Sequence, residues 1–178
     1  QLGNTTHGGM TEQEVPARAE TIMSGTAGLV LAQFSPQNVS RLVSFIKASL
    51  AAKRAFVIDP YTASIVFAIA RQQKTAYRAG TVAIPDLSDD FFRVHVGRYG
   101  SRLDAVIRQP IAARRIEIDE INAAPGRFLM LIRPGMLSDR SKAQLALERS
   151  VLIYSLWGGY RERSRRRASR PSWPSAAA

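Results

Sequence analysis

The sequence predicts an α/β protein, a mostly parallel sheet held between layers of helix in a Rossmann-like, three-layer plan. Three observations carry this. Short apolar runs of strand length alternate with stretches of helical periodicity. The runs are nearly continuous rather than alternating, as in strands buried on both faces. Two of the breaks place a capping residue directly before proline, at Ser35-Pro36 and at Asp59-Pro60.

The elements follow in order. Residues 1–9, QLGNTTHGG, are small and polar and read as a loop. Thr11 and Glu14 have capping-box spacing and would open a short helix through about Met23. Gly28–Phe34, GLVLAQF, is the first strand. Val39, Leu42, Val43, Ile46 and Leu50 then recur at helical spacing, with Arg41, Lys47 and Lys53 elsewhere on the wheel. AFVID at 55–59 is the next strand and TASIVFAIARQ at 62–72 the next helix, so a right-handed parallel crossover is the economical topology. The stretch 81–90, with Pro85 and an acidic cluster, reads as a connection. FFRVHV at 91–96 is a strand, followed by a short helix near Ser101–Arg108. EIDEINAAPG gives a brief helix closed by Pro125-Gly126, and RFLMLIR a strand broken by Pro134-Gly135. A polar helix over Asp139–Arg149 leads to a last strand, SVLIYSL. In outline, residues 1–27 lead into a domain spanning 28–160, and 161–178 form a basic tail without periodicity, read as disordered.

Composition narrows the function classes. The 178 residues are 46% hydrophobic, enough for a packed core. There is no cysteine, which excludes a disulfide framework, a thiolate-ligated zinc and a thiol nucleophile. No apolar run approaches the roughly 20 residues of a membrane span, and the first residues lack a signal-peptide pattern, so a cytoplasmic protein with no membrane partner is expected. Net charge is +11; the last 18 residues hold six arginines against Glu162, and the first 160 residues carry the remaining +6. A basic body suits a polyanion such as RNA, because neutralising phosphates releases counterions.

In a parallel sheet every strand ends at one edge and every following helix begins there. Ser35–Asn38, Asp59–Thr62, Pro134–Ser138 and the Ser155 region should therefore converge on one rim, where open α/β sheets bind ligands. Free amides and helix N-termini favour anions there. Ser35 and Asn38, with Arg41 one turn on, form a reasonable phosphate corner. Asp59 works against a phosphate at the second corner and is better suited to capping its helix or orienting a neighbour.

The segment SPQNVSRLVSFIKASLAAKRAFVIDPYTA resembles the β-CASP region of metallo-β-lactamase-fold hydrolases, the group that includes ribonuclease J-like and other RNA-processing nucleases. The likeness continues through RYGSRLDAVIRQPIAARRIEIDEINAAPGRFLMLIRPGMLSD and LIYSLWGGY, covering about Leu2 to Tyr160. It implies a β-CASP domain that clamps nucleic acid while a zinc-binding half hydrolyses the phosphodiester. The family's histidine motifs for zinc are missing: His7 and His95 are the two histidines and stand alone. Gly3 also occupies the place of a family glutamate in LGNTTHGG, while Thr5 and Thr6 keep that loop. The expectation is thus a fragment without a cofactor or catalytic residue of its own. It would bind RNA through Ser35, Asn38 and Arg41, with Thr5, Thr6 and Ser155 carried over from the motif-like segments, and would act with a missing metallo-β-lactamase domain in cis or trans.

Two other readings compete. Asp59, Asp89, Asp90 or the pair Asp119-Glu120 could serve as carboxylates of an unrecognised active site, although adjacent acids in loops and helix starts are more often solvated caps. Alternatively, the chain is a non-catalytic remnant or interaction module, with Trp157 and Tyr160 in an exposed partner surface. The Arg-rich tail is either a flexible nucleic-acid-binding arm or incidental sequence beyond the resemblance.

Overall fold

A computed structural model describes residues 14–76, 90–96, 105–133 and 144–155. Five strands are described: β1 (Val30–Gln33), β2 (Ala55–Ile58), β3 (Phe92–Val94), β4 (Phe128–Leu131) and β5 (Val151–Tyr154). They form one sheet in the order β3-β2-β4-β1-β5, and every pairing is parallel. The helices are α1 (Val15–Gly25), α2 (Val39–Ala51), α3 (Pro60–Ala76), α4 (Ala105–Ala113) and α5 (Ile118–Ala123). The fold is a three-layer, Rossmann-like α/β domain, as the alternation of runs and helices predicts.

The period of two along each strand divides the core into two layers. Registers align Phe92, Phe56, Leu129, Val30 and Val151 in one row across the sheet. That row faces Val15, Ala19 and Met23 of α1, Leu42, Phe45 and Ile46 of α2, Ala63 and Val66 of α3, and Ile111 of α4. Phe45 stacks on Phe34, ring centroids 4.6 Å apart, which ties α2 to the end of β1. The alternate strand residues Leu29, Val57, Phe128, Met130 and Ile132 face the other way, onto Ile116 and onto Ile118 and Ile121 of α5. Each fully buried Leu, Ile or Phe contributes about 1.5–3 kcal/mol, so a sheet covered on both faces explains why its strands read as unbroken apolar runs.

The path from β3 to β4 passes round the sheet's edge. After α4, Arg115 makes an isolated parallel bridge to Val94, with Val94 N–H donating to the Arg114 carbonyl at 2.7 Å and Ile116 N–H to the Val94 carbonyl at 3.1 Å. The chain then enters α5 on the opposite face. Helix α5 carries its own capping box, Glu117 with Glu120, which suits a helix of six residues with little intrinsic stability.

Four local expectations are corrected. Helix α1 begins at Val15 with Glu14 as N-cap and a proline in its first turn, so Thr11 is not its cap. Helix α2 begins at Val39, capped by Asn38, not by Ser35; Ser35 instead opens a turn in which the Asn38 N–H donates to the Ser35 carbonyl at 3.0 Å. In α2, Val39 and Leu50 at the two ends of the expected apolar stripe are exposed, and Phe45 and Ser49 are buried instead. Residues 145–149 hold no α-helix, so the described end of the expected polar helix is irregular chain with a turn at 148–149.

At the N-terminal edge of the sheet, a buried cation ties three segments together. Arg54 donates to the carbonyls of Met23, Thr26, Gly28 and Phe128, joining the end of α1 to the chain leading into β1 and to the start of β4. Desolvation by burial holds its guanidinium below its ordinary pKa. Nearby, Gly28 lies so close to the turn before β5 that a Cβ there would meet the Glu148 carbonyl oxygen at 2.5 Å.

Candidate functional site

All five strands run in one direction, so their C-terminal ends share the opposite edge. There the described loops form two corners. The first stands at the ends of β1 and β5. Asn38 caps α2 by accepting from the Arg41 N–H at 3.0 Å, an arrangement that fixes the helix start and is worth about 1 kcal/mol. One turn into α2, Arg41 reaches across and donates from Nη1 to the Ser155 hydroxyl. Ser155 is itself placed by its N–H, which donates to the Gln33 carbonyl at 2.9 Å and extends the β1–β5 ladder by one residue. The structure therefore brings Ser35, Asn38, Arg41 and Ser155 to one edge, with Ser35 and Asn38 exposed. Thr5 and Thr6 lie outside the described residues, as does Pro134–Ser138.

The second corner stands at the ends of β2 and β4. Asp59 is 4% exposed and caps α3, its Oδ1 accepting from the Thr62 N–H at 2.8 Å, with Pro60 at the first helical position. Its Oδ2 accepts from Arg133, two residues beyond β4. The Arg133 guanidinium also lies over the ring of Tyr61, 5.0 Å from its centroid. Gln37 links the corners by donating from Nε2 to the Tyr61 hydroxyl at 2.8 Å. Two buried polar atoms here, Thr62 Oγ1 and Arg133 Nε, have no hydrogen-bond partner among the described residues.

Sequence reasoning places Asp59 at this corner in the capping and orienting role but misses Arg133 and Tyr61. Arg133 pairs with a residue 74 positions away, a contact made only because β4 inserts between β1 and β2. The available signal was modest: a cation closing an apolar strand directly before Pro134.

The acids considered as a possible active site occupy separate elements. Asp90 precedes β3 and pairs with Arg114 and, at 3.6 Å, with Arg93. Glu120 accepts from the Glu117 N–H at 3.1 Å as part of the α5 cap, and Asp119 is exposed in the same first turn. Asp89 lies outside the described residues. His95, at the end of β3, is buried; its N–H donates to the Ile58 carbonyl at 3.0 Å and its Nδ1 lies 3.2 Å from the Ile116 carbonyl. His7 lies outside the described residues. Among the described residues, no three His, Asp or Glu side chains are grouped to hold a metal ion, and no helix is long and apolar enough to cross a membrane.

Comparison with protein-family models gave no match. Comparison with curated proteins gave none either. The functional reading therefore rests on the geometry of this edge and on the residues quoted above.

Proposed function

We propose that the C-terminal edge of the sheet holds the backbone of a nucleic acid, and that the chain is the clamping, β-CASP-type portion of an RNA-processing metallo-β-lactamase-fold hydrolase. The single observation that carries this is the first corner: the N-terminus of α2 with Asn38 and Arg41, and Ser155 just after β5, gathered beyond the ends of two neighbouring strands at one edge. A guanidinium beside helix amides suits a phosphate oxygen. The basic balance of the body points the same way. Phosphodiester hydrolysis is assigned to a zinc-binding domain, in the same polypeptide or a separate one, and not to the residues described here.

Titration of the chain with a single-stranded oligoribonucleotide at several salt concentrations tests this. The logarithm of the affinity should fall linearly with the logarithm of salt, with a slope of about 0.7 per phosphate neutralised. Incubation with RNA and Zn²⁺ or Mn²⁺ should show no cleavage above a metal-only blank. An affinity indifferent to salt would remove the proposal.

A second reading has its own observation. Leu152 on the outer strand β5 and Leu147 just before it are 48% and 52% exposed, an apolar pair that suits a protein partner. Trp157 and Tyr160 lie outside the described residues. Self-association in sedimentation that Leu152→Ser abolishes would favour this surface; a monomer at all concentrations would count against it.

A further inference from the structure

The two corners differ in charge chemistry, and the second is ill suited to a phosphate. Its arginine is already ion-paired with Asp59, and the same carboxylate occupies the Thr62 N–H in the first turn of α3. An incoming phosphate would have to displace a carboxylate that is 4% exposed and fixed by both contacts. The corner instead presents a flat aromatic ring. Tyr61 is 42% exposed although it sits in the first turn of a helix whose Thr62 and Ala63 are fully buried. The ring is not loose. Gln37 holds its hydroxyl, and Arg133, itself anchored by Asp59, lies against it. An exposed ring held by two side chains, one of them fixed in turn by Asp59, has the properties of a stacking platform: large area, few free torsions and a π-face that every nucleobase can match.

We infer that Tyr61 is a nucleobase-stacking site, positioned by Gln37 and by the Asp59–Arg133 pair. The rim then divides its work, with the Arg41 corner taking backbone phosphate and the Tyr61 corner taking an unstacked base of the same strand. This rests on the nucleic-acid reading above and adds a prediction of its own. A ligand must offer a base free of its helical neighbours, so an unpaired strand binds better than a duplex of equal charge.

The test compares an oligonucleotide with a backbone of equal length and charge lacking its bases, using wild type, Tyr61→Phe and Tyr61→Ala. Thermal melting confirms that each variant is folded. Wild type should bind the base-bearing strand more tightly than the abasic one. Tyr61→Ala should weaken the base-bearing strand by roughly 5- to 150-fold and leave the abasic strand and the salt slope unchanged, while Tyr61→Phe should keep most of the affinity. Equal loss on both strands, or no loss on either, overturns the stacking site while salt-dependent binding preserves the clamp. Absence of salt-dependent binding in wild type overturns both. A mononucleotide that binds as tightly as the strand, with the same loss in Tyr61→Ala, supports the platform and overturns the polymer reading beneath it.

Discussion

Two arginines at opposite ends of the same sheet do different work. Arg54, at the N-terminal edge, is 5% exposed and spends its donors on the four carbonyls it joins. Arg133, at the C-terminal edge, has a side chain 33% exposed, one carboxylate partner, and a buried Nε with no partner among the described residues. The first arrangement is closed. It satisfies the chain's own orphan carbonyls at the end of α1 and leaves no donor directed at a ligand. The second is open, joining side chains that follow three different strands around a ring that is 42% exposed. In a parallel sheet the polarity of the strands separates these tasks, so stability can be concentrated at one edge and recognition at the other.

The largest expected effect tests the closed end. Arg54→Met keeps a similar apolar stem but strands several carbonyls, each costing about 1–3 kcal/mol when buried and unpaired, so urea denaturation should show a loss of about 3–5 kcal/mol after partial relaxation. Arg54→Lys should recover only part of it, since a point charge cannot span the fork's partners. A loss below about 1 kcal/mol for Arg54→Met would mean that water reaches this edge and that the contrast between the two ends is false.

An intermediate effect belongs to Asp59. Removing it as Asp59→Ala takes away the cap of α3 and leaves Arg133 without its carboxylate, for about 2–3 kcal/mol together. Asp59→Asn keeps an acceptor for the Thr62 N–H and should cost about 1 kcal/mol. Combining Asp59→Asn with Arg133→Met isolates the pair; a coupling energy of about 1 kcal/mol in the double-mutant cycle is expected for a partly exposed arginine. Simple additivity of the two changes would show that Arg133 is held by Tyr61 alone.

What the sequence disclosed follows the range of the interactions involved. Strand content, the parallel direction implied by strands alternating with helices, and the Asp59 cap follow from patterns within short stretches of chain, and they are legible. Ser35 and Asn38 are both competent caps in sequence, three residues apart; in the structure Asn38 takes the role, accepting from the Arg41 N–H, while Ser35 opens the turn before it. Position 110, a proline, did not stop α4, which runs through it to Ala113. The second corner was the least legible. Its ion pair exists because β4 inserts beside β2, and no local pattern announces which strands become neighbours. Tyr61 likewise carries no sign of its exposure, since a tyrosine at a helix start packs inward as readily as outward.

The smallest effect on stability should come with a clear effect on binding. Arg41 is part of α2 but contributes little to its core face, and its contact to Ser155 joins two groups that are each only half-buried. Arg41→Ala should therefore shift stability by no more than about 0.5 kcal/mol, since alanine favours the helix and the lost contact reaches water. Its binding signature is different. If Arg41 neutralises one phosphate, the plot of log affinity against log salt should flatten by about 0.7, and Ser155→Ala should weaken binding without changing that slope. Tyr61→Ala should do the opposite of Arg41→Ala, lowering affinity at a constant slope. Should both variants change the slope alike, the rim would act as one diffuse patch of charge, and the separation of phosphate and base corners would fail.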